Sequence, residues 1–287
     1  MQMEATFAPS HRHQDNAATA TRHRVWVDCC LLGAMDCMPW KGWEQKLVTT
    51  FNIAQWRAWA PGLTSQADWR QWSQDPSVFT PSADQAPDVS FLPAMQRRRL
   101  SRMARMAFAV GWPLAEGLND LPLVFVSRHG ETPRTLEILK ELAAEQPLSP
   151  TQFSLSVHNA VIGLWSIMRG ETSEMTALAA AGDGLEHGVL EAAALLSEGA
   201  PAVLLILSEE EPPVDYAQWI DDVPFAYAVA LLLTPGEQWT LTLEPNLHQK
   251  QRTPRPHALN LLGTLLGNHP ACQHHWEHRT WNWQRTL

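Results

Sequence analysis

From residue 51 onward the hydrophobic and polar positions fall into short, punctuated runs. Phe51-Asn52-Ile53-Ala54-Gln55-Trp56 alternates with period two, as a half-buried strand does, and Ala60-Pro61-Gly62 supplies the turn after it. Residues 68–74, with Trp69 and Trp72 three apart, predict a short helix, and residues 75–90 are a Pro, Ser and Asp loop. Residues 92–116 predict one long helix: Pro93 suits a first turn, and Leu100, Met103, Met106 and Phe108 recur at helical spacing among five arginines. The continuous apolar run 121–126 predicts a fully buried strand. Then come an amphipathic helix over 132–145, a restart at Ser149-Pro150, and a mostly helical stretch over 153–169. A small strand over 174–180 precedes a Gly-Asp-Gly turn, a long helix over 184–197 and a buried strand over 202–207. Residues 225–233 and 239–243 alternate and predict two strands paired antiparallel, and the Pro- and His-rich last forty residues hold one helix, 258–266. There is no internal repeat.

Strands alternating with helices predict an α/β layered domain with a mostly parallel sheet. In the helix over 184–197, Leu185, Val189, Leu190, Ala192, Ala193, Ala194, Leu195 and Leu196 leave only a thin polar stripe. A helix apolar nearly all round is buried on more than one side, so this one is expected between layers.

The chain has 287 residues and a net charge of −9, which argues against a nucleic-acid footprint. No apolar run reaches the roughly 18 residues of a membrane helix. Fourteen tryptophans predict much buried or interfacial aromatic surface. The four cysteines, Cys29, Cys30, Cys37 and Cys272, form neither a CxxC pair nor a disulfide framework, so a reducing cytoplasm is the expected location. Residues 1–46 are polar and then briefly apolar without a period. They lack the clean core of a signal peptide and are expected to be a disordered or loosely docked extension.

Two runs could carry chemistry outright. Ser127-Arg128-His129-Gly130-Glu131-Thr132, directly after a buried strand, resembles the Arg-His-Gly signature of histidine phosphatases, in which the histidine accepts a phosphoryl group and arginine clamps its oxygens. Its second histidine would be His187, but His187 falls inside an apolar helix. A polar strand-to-helix turn is the plainer reading. Near the C-terminus, His274 and His278 would share a face if that segment were helical, with Cys272 and His275 beside them. Trp276, Trp281 and Trp283 crowd that run and no matching ligand cluster lies nearby in sequence, so a structural tail without metal is expected. His11 and His13 in the polar leader weigh still less.

Read in order, residues 50–245 resemble the N-terminal half of a β-ketoacyl synthase, a condensing enzyme of the thiolase fold. The resemblance runs through Arg97-Arg98-Arg99-Leu100-Ser101-Arg102-Met103, then His158-Asn159-Ala160-Val161-Ile162-Gly163, then the helix, Glu198-Gly199 and strand between Gly182 and Glu209. Trp59-Ala60-Pro61-Gly62 and the chain length more specifically resemble the chain-length-factor subunits of aryl polyene biosynthesis. The organisation implied is an extension over 1–46, a synthase-like domain over 47–246, and a His- and Trp-rich tail over 247–287.

In that family a cysteine at the N-terminus of the buried helix takes the acyl chain, its pKa lowered by unpaired N–H groups and the helix dipole. The resemblance places its counterpart at Gly182, between Ala181 and Asp183, none of which carries a thiol. The family's catalytic histidines belong to a second half that would begin after this chain ends. The resemblance therefore implies a degenerate, non-catalytic subunit, without cofactor, that pairs with a full-length synthase as a heterodimer and shapes its acyl tunnel. Phe153, Leu155, Val157, His158 and Asn159 would floor the tunnel, and the strand bearing Met175, Thr176 and Leu178 would meet the partner. The lone first half would leave the apolar helix and one sheet face partly uncovered. Arg97, Arg98 and Arg102 could face an acidic acyl carrier protein, although a solvated helix face explains such a stripe as well. A residual thioester hydrolase or decarboxylase acting through Asp183 or His187 ranks last.

Overall fold

The computed structural model describes residues 47–82, 85–245 and 251–286; the extension over 1–46, with Cys29, Cys30, Cys37, His11 and His13, lies outside the described residues. Strand β1 (Leu47–Trp59) leads to helix α1 (Gln66–Gln74), whose start is fixed by a capping box between Ser65 and Asp68. The expected long helix over 92–116 is instead two: α2 (Ala94–Arg97) and α3 (Arg102–Gly111), followed by a 3₁₀ turn at Trp112–Leu114. Ser101 makes the break. Its hydroxyl accepts the Ala104 N–H at 3.0 Å and donates to the Glu131 carboxylate at 2.5 Å, starting a new helix where the apolar spacing alone runs on.

Next come β2 (Leu123–Val126), α4 (Thr132–Ala143), α5 (Pro150–Ser154), α6 (Ala160–Arg169), β3 (Met175–Leu178), α7 (Gly184–Ser197) and β4 (Val203–Glu209). The rest is β5 (Tyr227–Pro245), β6 (Gln251–Arg252), α8 (His257–Leu266), β7 (Ala271–Glu277) and β8 (Arg279–Arg285). Helix α7 has the bounds its pattern predicts.

One eight-stranded sheet runs in the order β3-β2-β4-β5-β8-β7-β6, with β1 also paired to β5. Only β3-β2-β4 is parallel; the other pairings are antiparallel, so the expectation of a mostly parallel sheet is corrected to a mixed one. The reason lies in β5. Its two alternating halves do not fold back on each other but form a single strand of 19 residues, long enough to pair β4 first and β8 afterwards while β1 accompanies it. Pro235-Gly236, between the two halves, lies in a bulge. Asn52 of β1 donates to Pro235 O at 3.2 Å and accepts the Gln238 N–H at 3.0 Å, and Gly236 has φ 156° with no room for a Cβ against Asn52.

Two apolar cores sandwich the sheet. One joins α7, α8 and α1 to Val124, Val126, Leu205 and Leu207, with Trp69, Trp281 and Trp283 almost completely buried. The other joins α3 and α6 to Leu123, Phe125, Leu204 and Ile206. Both faces of the sheet are therefore covered within the chain, and α7 keeps only a partly open stripe that includes His187, Leu190 and Ala194. The tryptophan-rich C-terminal segment is not an appended tail: β8 pairs with β5 in register from Trp239↔Arg285 to Pro245↔Arg279.

Candidate functional site

The carboxyl ends of β2 and β4 and the N-terminus of α7 converge on a cavity of about 310 Å³, closed by residues 221–224, residues 252–258 and Trp276. Convergence of strand ends on a helix N-terminus is where α/β folds ordinarily place their chemistry. At this tip stands Gly182. A Cβ built on it would lie 2.1 Å from Trp276 Cζ3, so the indole occupies the space a side chain would need. Trp276 is itself bracketed by guanidinium groups, Arg128 at 5.3 Å and Arg252 at 4.4 Å from its ring centroid. Ala181 is exposed and Asp183 is buried.

Asp183 is fully engaged. It accepts from Arg279 Nε at 2.6 Å and Nη2 at 3.1 Å and from Trp281 Nε1 at 3.0 Å, with His187 Nε2 at 3.5 Å. Burial alone would raise its pKa, but the bonds and charges of His187 and Arg279 outweigh that and hold the carboxyl well below its usual range. A carboxylate so saturated is a structural anchor for the β7–β8 turn rather than a free base, and His187 rests edge-on against Trp281.

One turn further along α7, Glu186 is completely buried and meets two histidines. Its Oε2 lies 2.8 Å from His257 Nδ1 and its Oε1 2.6 Å from His274 Nδ1, while Trp283 Nε1 donates to Oε1 at 3.1 Å. Burial opposes ionisation of Glu186, yet the charge and bonds of His257 hold its pKa down to about 2. His257 is shifted up despite its own burial, because it faces that carboxylate, whereas burial shifts His274 down. The geometry is a buried carboxylate held between two imidazoles, each presenting its Nδ1 to a different carboxylate oxygen. Cys272 Sγ sits 3.7 Å from His274 Nε2, and burial pushes its thiol up to about 11. The helical reading of the C-terminal histidines is corrected here. His274 and His275 are on strand β7 and His278 is in the hairpin turn, so the shared face of His274 and His278 does not exist; the partners of His274 come from α7 and α8.

On the opposite wall, His129 Nε2 is 3.0 Å from Asp222 Oδ1 and Arg128 Nη1 is 2.5 Å from Asp222 Oδ2. Burial would raise the Asp222 pKa, but His129 and Arg128 bring it down to about 2. Glu209 accepts the Arg128 N–H at 2.5 Å and the Ser127 hydroxyl at 3.2 Å, and burial raises its pKa to about 7. Arg128 lines the cavity but His129 does not, and His187 is engaged elsewhere. The Arg128-His129-Gly130 run is therefore a pinned strand-to-helix turn, the plainer of its two readings in the sequence.

A sequence model described as the beta-ketoacyl synthase, N-terminal domain matches residues 69–284, from α1 through β8. The chain belongs to the β-ketoacyl synthase N-terminal domain family. Its fold is the thiolase-like, α/β fold of the synthase domain. No curated protein sequence matches it. Among solved structures, "Ketosynthase (ApeO) in Complex with its Chain Length Factor (ApeC) from Xenorhabdus doucetiae" includes a chain 32% identical at a TM-score of 0.74, covering 82% of this chain and 99% of that one. The ishigamide ketosynthase/chain length factor (13% identity, TM-score 0.53, 71% of this chain and 68% of that chain) shares the fold. So does a structure of a type II acyl-carrier protein with its ketosynthase (9%, TM-score 0.60, 84% and 100%). Among the described residues, no helix is long and apolar enough to cross a membrane.

The other residues singled out in the sequence lie away from the cavity. Phe153 and Val157 are exposed around α5, Leu155 packs on the second core, and Asn159 caps α6 by position only. His158 Nε2 bonds the Ser127 carbonyl at 2.8 Å. Met175, Thr176 and Leu178 are half-buried on β3, which ends the sheet, and Thr176 donates to Glu191 at 2.9 Å. The arginine stripe splits: Arg98 and Arg99 face solvent, Arg97 and Arg102 are half-buried, and Arg105 donates to the carbonyls of Arg97 and Leu100.

Proposed function

We propose that this synthase-family chain is a non-catalytic, chain-length-factor-like subunit. It pairs with a full-length β-ketoacyl synthase as a heterodimer and shapes the partner's acyl tunnel in polyketide, aryl polyene or fatty-acid-like biosynthesis, meeting the acyl carrier protein only indirectly. The observation that carries the reading is Gly182. Gly182, where the resemblance places the counterpart of the family's acyl-accepting cysteine, has no side chain, and Trp276 fills the volume one would occupy. A subunit without a nucleophile contributes through shape. The relative matched at 32% identity is drawn from a ketosynthase–chain length factor complex, which supports the same role.

The pairing surface we assign is β3, which ends the sheet among the described residues, together with the exposed apolar groups around α5 and α6. An uncapped edge strand presents unpaired backbone groups, and Phe153, Val157 and Ile167 add exposed apolar area of the kind that marks a partner site. Coexpression with a ketosynthase encoded beside it tests the proposal. The expected result is a stable one-to-one complex that elongates a carrier-bound acyl chain, with this chain alone remaining unacylated. Self-acylation and elongation by this chain alone would overturn it.

A further inference from the structure

We propose that Glu186, His257 and His274 form a binding site for a divalent transition-metal ion of the zinc class at the rear of the cavity. One ligand atom from each residue lies within 4.8 Å of the others, and all three side chains are buried. One carboxylate and two imidazoles are a donor set that suits zinc or cobalt, and with three protein ligands a fourth position stays open. His257 also lines the cavity, so that position has a route to a small ligand or water.

The surroundings are those of metal-binding histidines, whose distal nitrogen is normally held by a further group. His257 Nε2 lies 3.3 Å from the His275 carbonyl, His274 Nε2 meets Cys272 Sγ, and Trp283 Nε1 donates to Glu186. Both Nδ1 atoms are thereby turned toward the carboxylate. The carboxylate-to-nitrogen distances of 2.6 and 2.8 Å are two hydrogen bonds, each with its own proton between an Nδ1 and a different carboxylate oxygen. To ligate through Nδ1, each imidazole must be neutral and protonated at Nε2: a ring protonated on both nitrogens releases its Nδ1 proton to solvent, and a neutral ring protonated at Nδ1 moves that proton to Nε2. With Zn²⁺, one carboxylate and two neutral imidazoles, the site carries a single positive charge, which an anion or hydroxide from the cavity can balance. Ligands about 2.0–2.1 Å from a tetrahedral ion stand about 3.3 Å apart, so the three groups adjust from their hydrogen-bonded spacing when the ion enters.

The test uses the full-length chain purified without chelator. Metal analysis and titration with Zn²⁺ and Co²⁺ alone are expected to give one ion per chain, with a visible Co²⁺ spectrum of four-coordinate type lacking thiolate-to-metal charge transfer. Glu186→Gln and His274→Ala are expected to weaken binding at least a hundredfold, while Cys272→Ser retains it. No stoichiometric binding by the wild-type chain overturns the proposal. So does binding that persists in Glu186→Gln and His274→Ala, which would place the ion elsewhere, for instance at Cys29, Cys30 and Cys37. Should those variants fail to fold, the wild-type Co²⁺ spectrum decides: a thiolate band overturns the site, and its absence at one bound ion upholds it.

Discussion

Gly182 and Trp276 share a single volume: a Cβ on the glycine would sit 2.1 Å from the indole, although nothing about the glycine's backbone forbids one, since its φ lies outside the left-handed region. The three atoms that a side chain at the tip of α7 would meet first all belong to Trp276. Gly182→Ala should lower stability by about 1–3 kcal/mol, the usual cost of overpacking a filled site. In a Trp276→Ala background the same substitution should cost less than about 0.5 kcal/mol, giving a coupling well above the additivity limit. Urea unfolding of the four proteins of this cycle measures it. Additive costs would mean that something other than the indole excludes a side chain there.

Much of the fold is legible locally and the site is not, for one physical reason. Helix α7 is visible because its apolar positions, glycine-flanked start and Glu198-Gly199 end all lie within one window, and the buried strands β2 and β4 read as continuous apolar runs. The break before α3 was written in Ser101 as a helix-capping residue, a signal masked by the unbroken spacing of Leu100, Met103 and Met106. The partners of Glu186 are 71 and 88 residues away, so no window contains them. Two clues were nevertheless present: acids on an otherwise apolar helix need partners, and a His- and Trp-rich segment offers them. Residues 225–233 and 239–243 read as two separate strands because only Asn52, 183 residues from Pro235, shows that the segment between them is a bulge in one strand.

That clasp gives a second prediction. Asn52→Ala removes both hydrogen bonds that hold the bulge of β5, at Pro235 O and Gln238 N. Two net hydrogen bonds are worth about 1–2 kcal/mol together. Hydrogen exchange should show faster opening around residues 234–238 than in β4, with α7 unaffected. Unchanged exchange there would show that β1 and β5 keep their shifted register without Asn52.

Glu209 makes stability depend on pH. Its folded pKa of about 7 lies above its ordinary value of 4.5 because burial disfavours the charged form. Between pH 4.5 and 7 the unfolded chain ionises while the folded one keeps its proton. The contribution of Glu209 is thus fully present below pH 4.5 and is lost as pH rises through 7. Glu210, also raised to about 7 by burial and the nearby Glu131, acts in the same direction. Glu209→Gln retains an acceptor for the Arg128 N–H and carries no charge. Its melting temperature relative to wild type should therefore increase from pH 5 to pH 8.5. A difference that stays flat across that range would mean Glu209 is ionised in the folded protein throughout.

Phe153 separates the pairing role from the fold. Its ring is 61% exposed on α5 and belongs to neither core, so Phe153→Asp should change the stability of the isolated chain by no more than about 0.5 kcal/mol. At an interface the same substitution buries a carboxylate with no partner, a cost of several kcal/mol, enough to weaken association at least a hundredfold. The partner's product would then shift in length or disappear while the subunit still melts as the wild type does. As a control, Val48→Asp introduces the same charge at a side chain 51% exposed on β1, which pairs with β5 and not with β3. It should leave pairing intact. Equal loss from both substitutions would reflect charge alone, and full pairing by Phe153→Asp would move the interface away from α5.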